Sequence, residues 1–170
     1  MSPQRLTSRQ VFHEHAAYVF RVLRYFGVRE ADLPDVCQEV FVTVHRKIDG
    51  FEGRSSIRTW LYRICQRAAS DHRRRAYVRR EVATDFTAQE PDEVIASQAG
   101  QIEARSTLLR ALSALDEDKR DVFVLYEIEG MTMREVCAVV DCPLQTAYSR
   151  LHAAREIVER ALTTERKKDA

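Results

Sequence analysis

Arginine dominates the stretch 63–80, which holds seven arginines and a single acidic residue, Asp71. The arginines are Arg63, Arg67, Arg73, Arg74, Arg75, Arg79 and Arg80. Like charges at this density repel one another on a helix, so anions or solvent must offset the repulsion. Guanidinium groups bind phosphates, and the nearby rings of Trp60, Tyr62 and Tyr77 could stack on unpaired bases. We therefore predict a nucleic-acid contact here, and the alternative is a merely solvated basic face. Tyr62 is the predicted surface aromatic, whereas Trp60 lies on an apolar stripe and is expected to be buried.

A second pattern, between residues 132 and 155, has the form of a helix-turn-helix. Thr132 and Glu135 form a capping box that opens a short helix, the run 141–143 breaks it, and a longer amphipathic helix follows. The second helix of such a motif presents its first residues to base edges in the major groove. The candidate readers on or beside its polar face are Gln145, Thr146, Tyr148, Ser149, Arg150 and His152. The alternative is a plain helical hairpin with a polar outer surface.

The residues needed for catalysis or metal binding do not group in the sequence. The five histidines are scattered, and no H-x-x-x-H pattern, phosphate-binding glycine loop or paired Cys/His set occurs. Cys37, Cys65 and Cys137 lie on apolar stripes and are expected to be buried, which leaves Cys142 as the one predicted exposed thiol. We therefore predict no catalytic residue, no metal site and no cofactor.

Composition indicates a globular protein. The chain has 170 residues, of which 45% are hydrophobic and 31% are charged, with a net charge of +1. The charge is uneven, because residues 1–80 carry 16 Lys/Arg against 8 Asp/Glu, while residues 81–170 carry 11 against 18. Such asymmetry is typical of a face that binds a polyanion. No apolar run is long enough to cross a bilayer and no secretory signal is apparent, so we expect a cytoplasmic protein without membrane contact.

Apolar residues recur at helical spacing along nearly the whole chain, which predicts an all-α fold of two small helical domains. We expect helices to begin at a Thr7 capping box, after Asp32, and at Ser55 or Ser56. The first helix is expected to bury Phe12, Ala16, Val19, Phe20 and Leu23, and the last to bury Leu144, Ala147, Leu151, Ala154, Val158 and Leu162. The predicted divisions are a first domain over 1–80, a flexible acidic linker over 81–101, a second domain over 102–165 and a charged, frayed tail over 166–170.

The order of these motifs resembles a known family. The run 32–41, Asp-Leu-Pro-Asp-Val-Cys-Gln-Glu-Val-Phe, the run 51–64 around Trp60, and the run 112–155 resemble regions 2 and 4 of the extracytoplasmic-function (ECF) sigma factors of the sigma-70 family. These are promoter-specificity subunits of bacterial RNA polymerase. The resemblance implies a factor that directs core polymerase to promoters and helps to melt them. A stand-alone helix-turn-helix regulator is the alternative, and a nucleic-acid enzyme is disfavoured.

The resemblance also implies a partner for each site. Asp35, Gln38, Glu39 and Thr43 would bind the clamp of the largest polymerase subunit. The promoter's minus-ten element would be bound by Glu52, Gly53, Arg54, Ser55, Ser56, Arg58, Arg63, Arg67, Arg73, Arg74 and Arg75, where the loop 52–56 captures a flipped base. The helix-turn-helix readers would bind the minus-thirty-five element, with Arg150 as the first choice, and region 4 would rest on the flap of the second-largest subunit. An anti-sigma factor is implied as the regulatory partner. Arg67 departs from the family, which commonly has Asn at that position.

Overall fold

A computed structural model of the chain describes the backbone of residues 6–82 and 99–168 and the side chains of residues 6–78 and 105–164. Contacts between residues divide the chain into two compact units, Met1–Ala88 and Gln89–Ala170. The described residues are helical and contain no strand, so the predicted all-α fold of two helical domains is confirmed. The predicted linker falls for the most part on residues 83–98, outside the described residues. Within the described part of the chain, no helix is both long and apolar enough to cross a membrane.

Three helices form the first unit. They are α1 (Ser8–Tyr25), α2 (Leu33–Lys47) and α3 (Ile57–Val82), with 3₁₀ turns at Glu30–Asp32 and Ile48–Gly50. The α1 start is confirmed, because the Thr7 hydroxyl accepts the backbone N–H of Gln10 while the Gln10 side chain accepts that of Thr7. Gly27 ends α1 in the left-handed conformation, with φ of 76°. Each pair of these helices is in contact.

The core-facing side of α1 agrees only in part with the predicted one, because Val19 and Leu23 are buried as expected and the other three predicted residues are not. Val11, Tyr18 and Val22 are buried together with Val19 and Leu23, whereas Phe12 is 47% exposed and packs edge-on against Phe41. Ala16 and Phe20 are only partly buried. Two apolar stripes lie side by side on this helix, and contact with α2 and α3 selects the Val11 stripe.

The second unit also consists of packed helices. They are α4 (Ala99–Ser113), α5 (Glu117–Phe123), a π-helical turn (Val124–Ile128), α6 (Met133–Val140) and α7 (Leu144–Lys168). α7 packs against α4, α5 and α6 through Ala147, Leu151, Ala154 and Val158, which are buried as predicted. Leu144 was expected inside but is 47% exposed, and Leu162 is only partly buried. α7 continues to Lys168, into the predicted charged tail, and the fraying of that tail stays a prediction.

Candidate nucleic-acid interface

The polar face of α2 projects away from the first unit's core. Asp35, Gln38 and Glu39 are exposed, and Thr43 is partly exposed with its hydroxyl donating to the Glu39 carbonyl oxygen at 3.0 Å. The opposite face is buried through Leu33, Val36, Cys37, Val40 and Val44. Val42, which is 43% exposed, lies three residues after Glu39 and therefore shares the polar face. Val42 was not among the residues predicted for this surface, although it lies off the predicted apolar stripe of α2.

The start of α2 is held by an electrostatic contact with the basic helix α3. The Asp32 carboxylate accepts from Arg29 Nε at 2.7 Å and lies 3.2 Å from His72 Nε2. These two partners, Arg29 first, keep the pKa of Asp32 below its usual range, although partial burial opposes the shift. The contact with His72 therefore fixes the position of α3 beside the start of α2.

The loop 52–56 is exposed, and its turn depends on one glycine. Gly53 has a φ of 68°, which favours glycine, and Glu52 forms an ion pair with Arg54 on either side of it. Ser56, one of the two predicted caps, is the cap of α3, since its hydroxyl oxygen accepts from the Thr59 backbone N–H at 3.1 Å. Ser55 does not cap the helix and donates to the Ser56 carbonyl oxygen at 3.5 Å.

The arginines of α3 fall into two groups. Arg63, Arg67 and Arg74 are exposed, and Arg58 lies over the Tyr18 ring with its guanidinium carbon 4.8 Å from the ring centre. Arg73 instead donates to the Phe26 carbonyl oxygen at 2.8 Å and so satisfies the end of α1. Arg79 and Arg80 lie outside the residues whose side chains are described. Part of the predicted basic face, represented by Arg73, therefore stabilises the fold of the first unit.

Arg75 belongs to neither group, because it joins two of the predicted sites. Its guanidinium donates to Glu39 at 2.7 Å across the gap between α3 and α2. The two side chains remain 51% and 45% exposed, so both charges can be reached from solvent. The ion pair raises the pKa of Arg75 further above its usual value, chiefly through the hydrogen bond to Glu39.

The aromatic residues near this face are placed differently from the prediction. Tyr62, the predicted surface aromatic, is fully buried and packs against Phe26 with ring centres 5.2 Å apart. Trp60, predicted to be buried, is only partly so and packs against Phe51. Tyr77 is 65% exposed, so its ring lies open to solvent on the basic helix α3.

The helix-turn-helix of the second unit has the predicted local geometry. Thr132 caps α6, and the Glu135 carboxylate accepts from the Thr132 backbone N–H at 2.8 Å. These hydrogen bonds with Thr132 lower the pKa of Glu135. Asp141 ends α6 in the left-handed conformation, with φ of 52° and ψ of 54°, as an aspartate tolerates. The turn thus places the beginning of α7 directly after α6.

The predicted readers occupy two kinds of position on α7. Gln145, Tyr148, Ser149 and His152 are exposed, and Thr146 is partly exposed. Arg150, the first choice from the sequence, is partly buried, and its guanidinium donates to the Asp118 carboxylate of α5 at 2.5 Å. Leu144, missed as a surface residue, lies one helical turn before Tyr148 and adds an apolar contact to the exposed start of α7.

Ion pairs and backbone contacts fix α5 against its neighbours. Arg120 donates to the carbonyl oxygens of Leu112 at 3.0 Å and Leu115 at 2.8 Å, which ties α5 to the end of α4. Arg155 of α7 donates at 2.7 Å to Glu127, which lies in the π-helical turn that follows α5. Among the described residues, no group of three His, Cys, Asp or Glu side chains could hold a metal ion. The exposed charged and hydrogen-bonding side chains of α2, α3 and α7 can bind a charged or polar surface of a partner.

Comparison with known proteins finds relatives of both units. The sequence model of Sigma-70 region 2 matches residues 11–79, and that of Sigma-70, region 4 matches residues 105–158. The ECF RNA polymerase sigma-E factor of Escherichia coli K12 is 34% identical over an alignment of 153 residues, and the match covers 81% of this chain and 76% of the relative. The protein of the same name from Haemophilus influenzae is 30% identical over an alignment of 148 residues, and the match covers 78% of this chain and 75% of the relative.

Solved structures share the fold. CnrH, solved in complex with the cytosolic domain of CnrY, has a TM-score of 0.66 and 27% identity, covering 92% of this chain and 88% of its own. RpoE of Bartonella quintana, solved with the anti-sigma factor NepR, has a TM-score of 0.73 and 21% identity, covering 91% of this chain and 96% of its own.

Proposed function

We propose a task for each unit from the premise that the chain belongs to the ECF sigma factors of the sigma-70 family and is an RNA polymerase sigma factor. One observation carries this premise: region 2 and region 4 both match, in that order, on two separate helical units. A stand-alone helix-turn-helix regulator is not favoured, because it would account for the second unit alone. The family acts in transcription initiation, and we infer that the chemistry belongs to the polymerase and none to this chain.

Core polymerase is the proposed partner of the polar face of α2. Asp35, Gln38, Glu39 and Thr43 would bind the clamp of the largest subunit through charge and hydrogen bonds, which set register and partner choice. Their exposure on a helix whose other face is buried supports this assignment. Val42 would add an apolar contact at the same surface.

The loop 52–56 and the exposed arginines of α3 would bind the single-stranded minus-ten element. Extracting a base costs a few kcal/mol, and polar groups of the loop at Glu52, Gly53 and Ser55 would offset that cost. Arg54 and Arg58 would begin a track for strand phosphates that Arg63, Arg67, Arg74 and Arg75 continue. Arg73 would contribute by holding the end of α1, because its guanidinium is engaged there.

The start of α7 would enter the major groove of the minus-thirty-five element. Gln145, Tyr148, Ser149 and His152 would face the bases, and Thr146 would contact a base or a phosphate. Arg150 is held by Asp118, so it would contact DNA from that position. A phosphate is then more accessible to it than a base. Region 4 would also rest on the flap of the second-largest polymerase subunit.

Regulation by an anti-sigma factor is part of the proposal. RpoE was solved with the anti-sigma factor NepR, and CnrH with the cytosolic domain of CnrY, which supports a protein inhibitor for this chain also. Such an inhibitor would cover the surfaces proposed for polymerase and DNA. We place this activity in the cytoplasm, where bacterial polymerase works.

The test is transcription in vitro. Purified core polymerase and a genomic fragment library are incubated with and without the protein, and the 5′ ends of the transcripts are sequenced. We expect new, discrete start sites that share two spaced upstream elements. The absence of new starts with a folded protein and a polymerase from the same source would overturn the proposed function.

A pair of variants then tests the proposed polymerase interface of α2. Glu39→Ala is expected to reduce binding to core polymerase, whereas Lys47→Ala, at the exposed end of the same helix, is the matched control. Binding is measured by titrating core polymerase with labelled protein in the absence of DNA. Equal affinities for the two variants would argue against the α2 interface.

A further inference from the structure

Two cysteines flank the left-handed residue that ends α6. Asp141 turns the chain, and the backbone N–H groups of Asp141 and Cys142 both point to the Cys137 carbonyl oxygen, the latter at 3.4 Å. At a helix end of this kind, the side chain two positions after the last helical residue packs against the side chain three positions before that residue. In α6 these two positions are 142 and 137. Here both of these side chains are thiols, and the neighbouring Cys142 helps to raise the pKa of Cys137. The prediction that Cys137 is buried is wrong, since both cysteines are partly exposed.

We propose that Cys137 and Cys142 form an oxidative modification site, a dithiol that peroxide converts to an intramolecular disulfide in the turn of the helix-turn-helix. Three observations carry this proposal: the helix end holds the two backbones together, its left-handed turn brings these two side chains to the same side, and solvent reaches both. A disulfide requires Cα atoms within about 4.4–6.8 Å and side chains that point toward one another. The hydrogen bond from the Cys142 N–H to the Cys137 carbonyl oxygen, across the left-handed turn, draws the two residues toward that arrangement.

The chemistry balances with hydrogen peroxide as the oxidant. Partial burial, with the neighbouring Cys142, raises the pKa of the Cys137 thiol and so disfavours Cys137 as the first nucleophile. Cys142 loses its proton and its sulfur attacks one peroxide oxygen, the O–O bond breaks, and sulfenic acid and water form. The Cys137 sulfur then attacks the Cys142 sulfur, the S–O bond breaks, and a second water leaves. Two thiols and one peroxide thus give one disulfide and two waters.

The consequence for DNA binding rests on the proposed function. A disulfide holds its sulfurs about 2.05 Å apart, which is well inside the separation of two thiols in contact. α7 begins at Leu144, only two residues after Cys142, so closing the bond moves the start of α7 relative to α6. The exposed readers lie in those first turns, and we therefore expect the oxidised protein to lose binding to the minus-thirty-five element.

A second cysteine pair serves as an internal reference. Cys37 and Cys65 are 4% and 0% exposed in the core of the first unit. Burial raises the pKa of the Cys37 thiol to about 11 and that of Cys65 still higher. A buried thiol that keeps its proton at neutral pH reacts slowly with peroxide, so this pair is expected to stay reduced while the protein is folded.

The first test is peptide mapping of the full chain. Reduced protein is titrated with hydrogen peroxide, free thiols are alkylated, and the peptides are analysed without reductant. We expect a linkage between Cys137 and Cys142 that dithiothreitol reverses, with Cys37 and Cys65 recovered as free thiols. Disulfides between chains, or a Cys142 oxidised to sulfinic acid without linkage to Cys137, would overturn the proposal.

The second test measures transcription by the holoenzyme. The protein alone is oxidised, freed of peroxide, and added to core polymerase with the start sites found above. We expect at least a fivefold loss of transcripts, within the ordinary range of coupling between two sites, and recovery after dithiothreitol. Cys142→Ser and Cys137→Ser, each checked for helicity by circular dichroism, are expected to be active and insensitive to peroxide.

The outcomes of the two tests are separable. Unchanged transcription from a protein that mapping shows to be oxidised would overturn the loss of DNA binding. A peroxide-sensitive Cys142→Ser protein would also overturn it. A reduced protein without transcription would contradict the proposed function, and peptide mapping would still decide whether the disulfide forms.

Discussion

Glu39 of α2 and Arg75 of α3 form an ion pair, with an oxygen of Glu39 2.7 Å from a guanidinium nitrogen of Arg75. The pair joins a residue proposed to bind polymerase to one proposed to bind DNA. Each charge therefore neutralises the other in the free protein. Docking on polymerase would draw Glu39 away and leave Arg75 for a strand phosphate.

The first prediction concerns Glu39→Gln. An exposed ion pair contributes at most about 1 kcal/mol, so freeing Arg75 should raise the affinity of the isolated chain for a single-stranded oligonucleotide by up to about fivefold at low salt. Fluorescence anisotropy measures this affinity. Asp35→Asn removes the same charge from the same helix without freeing Arg75 and is the matched control. An equal gain in affinity from Asp35→Asn, or a gain that persists in an Arg75→Gln background, would show that the effect comes from the change in net charge and not from the release of Arg75.

The second prediction separates two adjacent arginines. Arg73 holds the Phe26 carbonyl oxygen, so Arg73→Gln should lower the free energy of unfolding of the first unit by about 1–2 kcal/mol. Arg74 is exposed, so Arg74→Gln should leave stability unchanged and lower the salt dependence of single-strand binding by about one phosphate contact. Urea unfolding and anisotropy at several salt concentrations measure the two effects. The assignment fails if the two variants behave alike.

A third prediction follows from the burial of Tyr62. Removing its fully buried ring should cost about 3–5 kcal/mol in Tyr62→Ala, because a cavity is left against Phe26. Tyr77→Ala on the same helix is the control, and it should change stability by less than about 0.5 kcal/mol. Urea unfolding followed by circular dichroism compares them. A small loss in Tyr62→Ala would mean that the core relaxes around the missing ring.

A fourth prediction addresses pH. Asp116 caps α5 by accepting the Lys119 backbone N–H, and its hydrogen bonds with Lys119, the side-chain one first, lower its pKa. A carboxyl whose folded-state pKa is depressed stabilises the fold above its unfolded pKa of about 3.9 and loses that effect as pH falls through the folded value. Asp116→Ala should therefore be less stable than the parent by about 0.5–2 kcal/mol at pH 7, with a gap that narrows below about pH 4.

Ser56→Ala is the control for that experiment, because it removes an uncharged cap from α3. Its stability gap should be the same at pH 7 and pH 4. Thermal unfolding at a series of pH values measures both gaps. A pH-independent gap in Asp116→Ala would show that the ionised state of the carboxyl is not what stabilises α5.

The fifth prediction tests the start of α7. Removing a side chain that contacts a base typically costs about 1–3 kcal/mol, so Gln145→Ala and Tyr148→Ala should each reduce promoter output by roughly fivefold or more. Asp118→Asn should release Arg150 and tighten binding to duplex DNA of any sequence. Glu159→Gln, exposed far along the same helix, is the control. Gln145 or Tyr148 would be excluded as a base contact if its substitution lowered promoter output no more than Glu159→Gln does.

Local signals in the sequence were sufficient wherever the structure depends on a few adjacent residues. The capping boxes at Thr7 and Thr132 and the left-handed turn at Asp141 depend on hydrogen bonds and backbone preferences within one turn of helix. The order of the two regions was likewise predictable, because it is carried by motif spacing. Which residues of the predicted sites contact polymerase and DNA stays a prediction.

Burial and pairing were not predictable in the same way. Tyr62 is inside and Phe12 outside because the packing partners of a helix decide which of two neighbouring stripes is covered. Arg73 and Arg150 are engaged by Phe26 and Asp118, which are 47 and 32 residues away in sequence. No periodicity within one helix contains information about such distant partners.

The π-helical turn at Val124–Ile128 has a consequence for how the length of the second unit can change. A π turn holds one residue more than the α turn it replaces, so losing one residue there restores an ordinary helical repeat. Elsewhere in a packed helix, a deletion rotates every later side chain by about 100°. The segment is therefore a place where a single residue can be removed while the residues after the turn keep their orientation relative to α5.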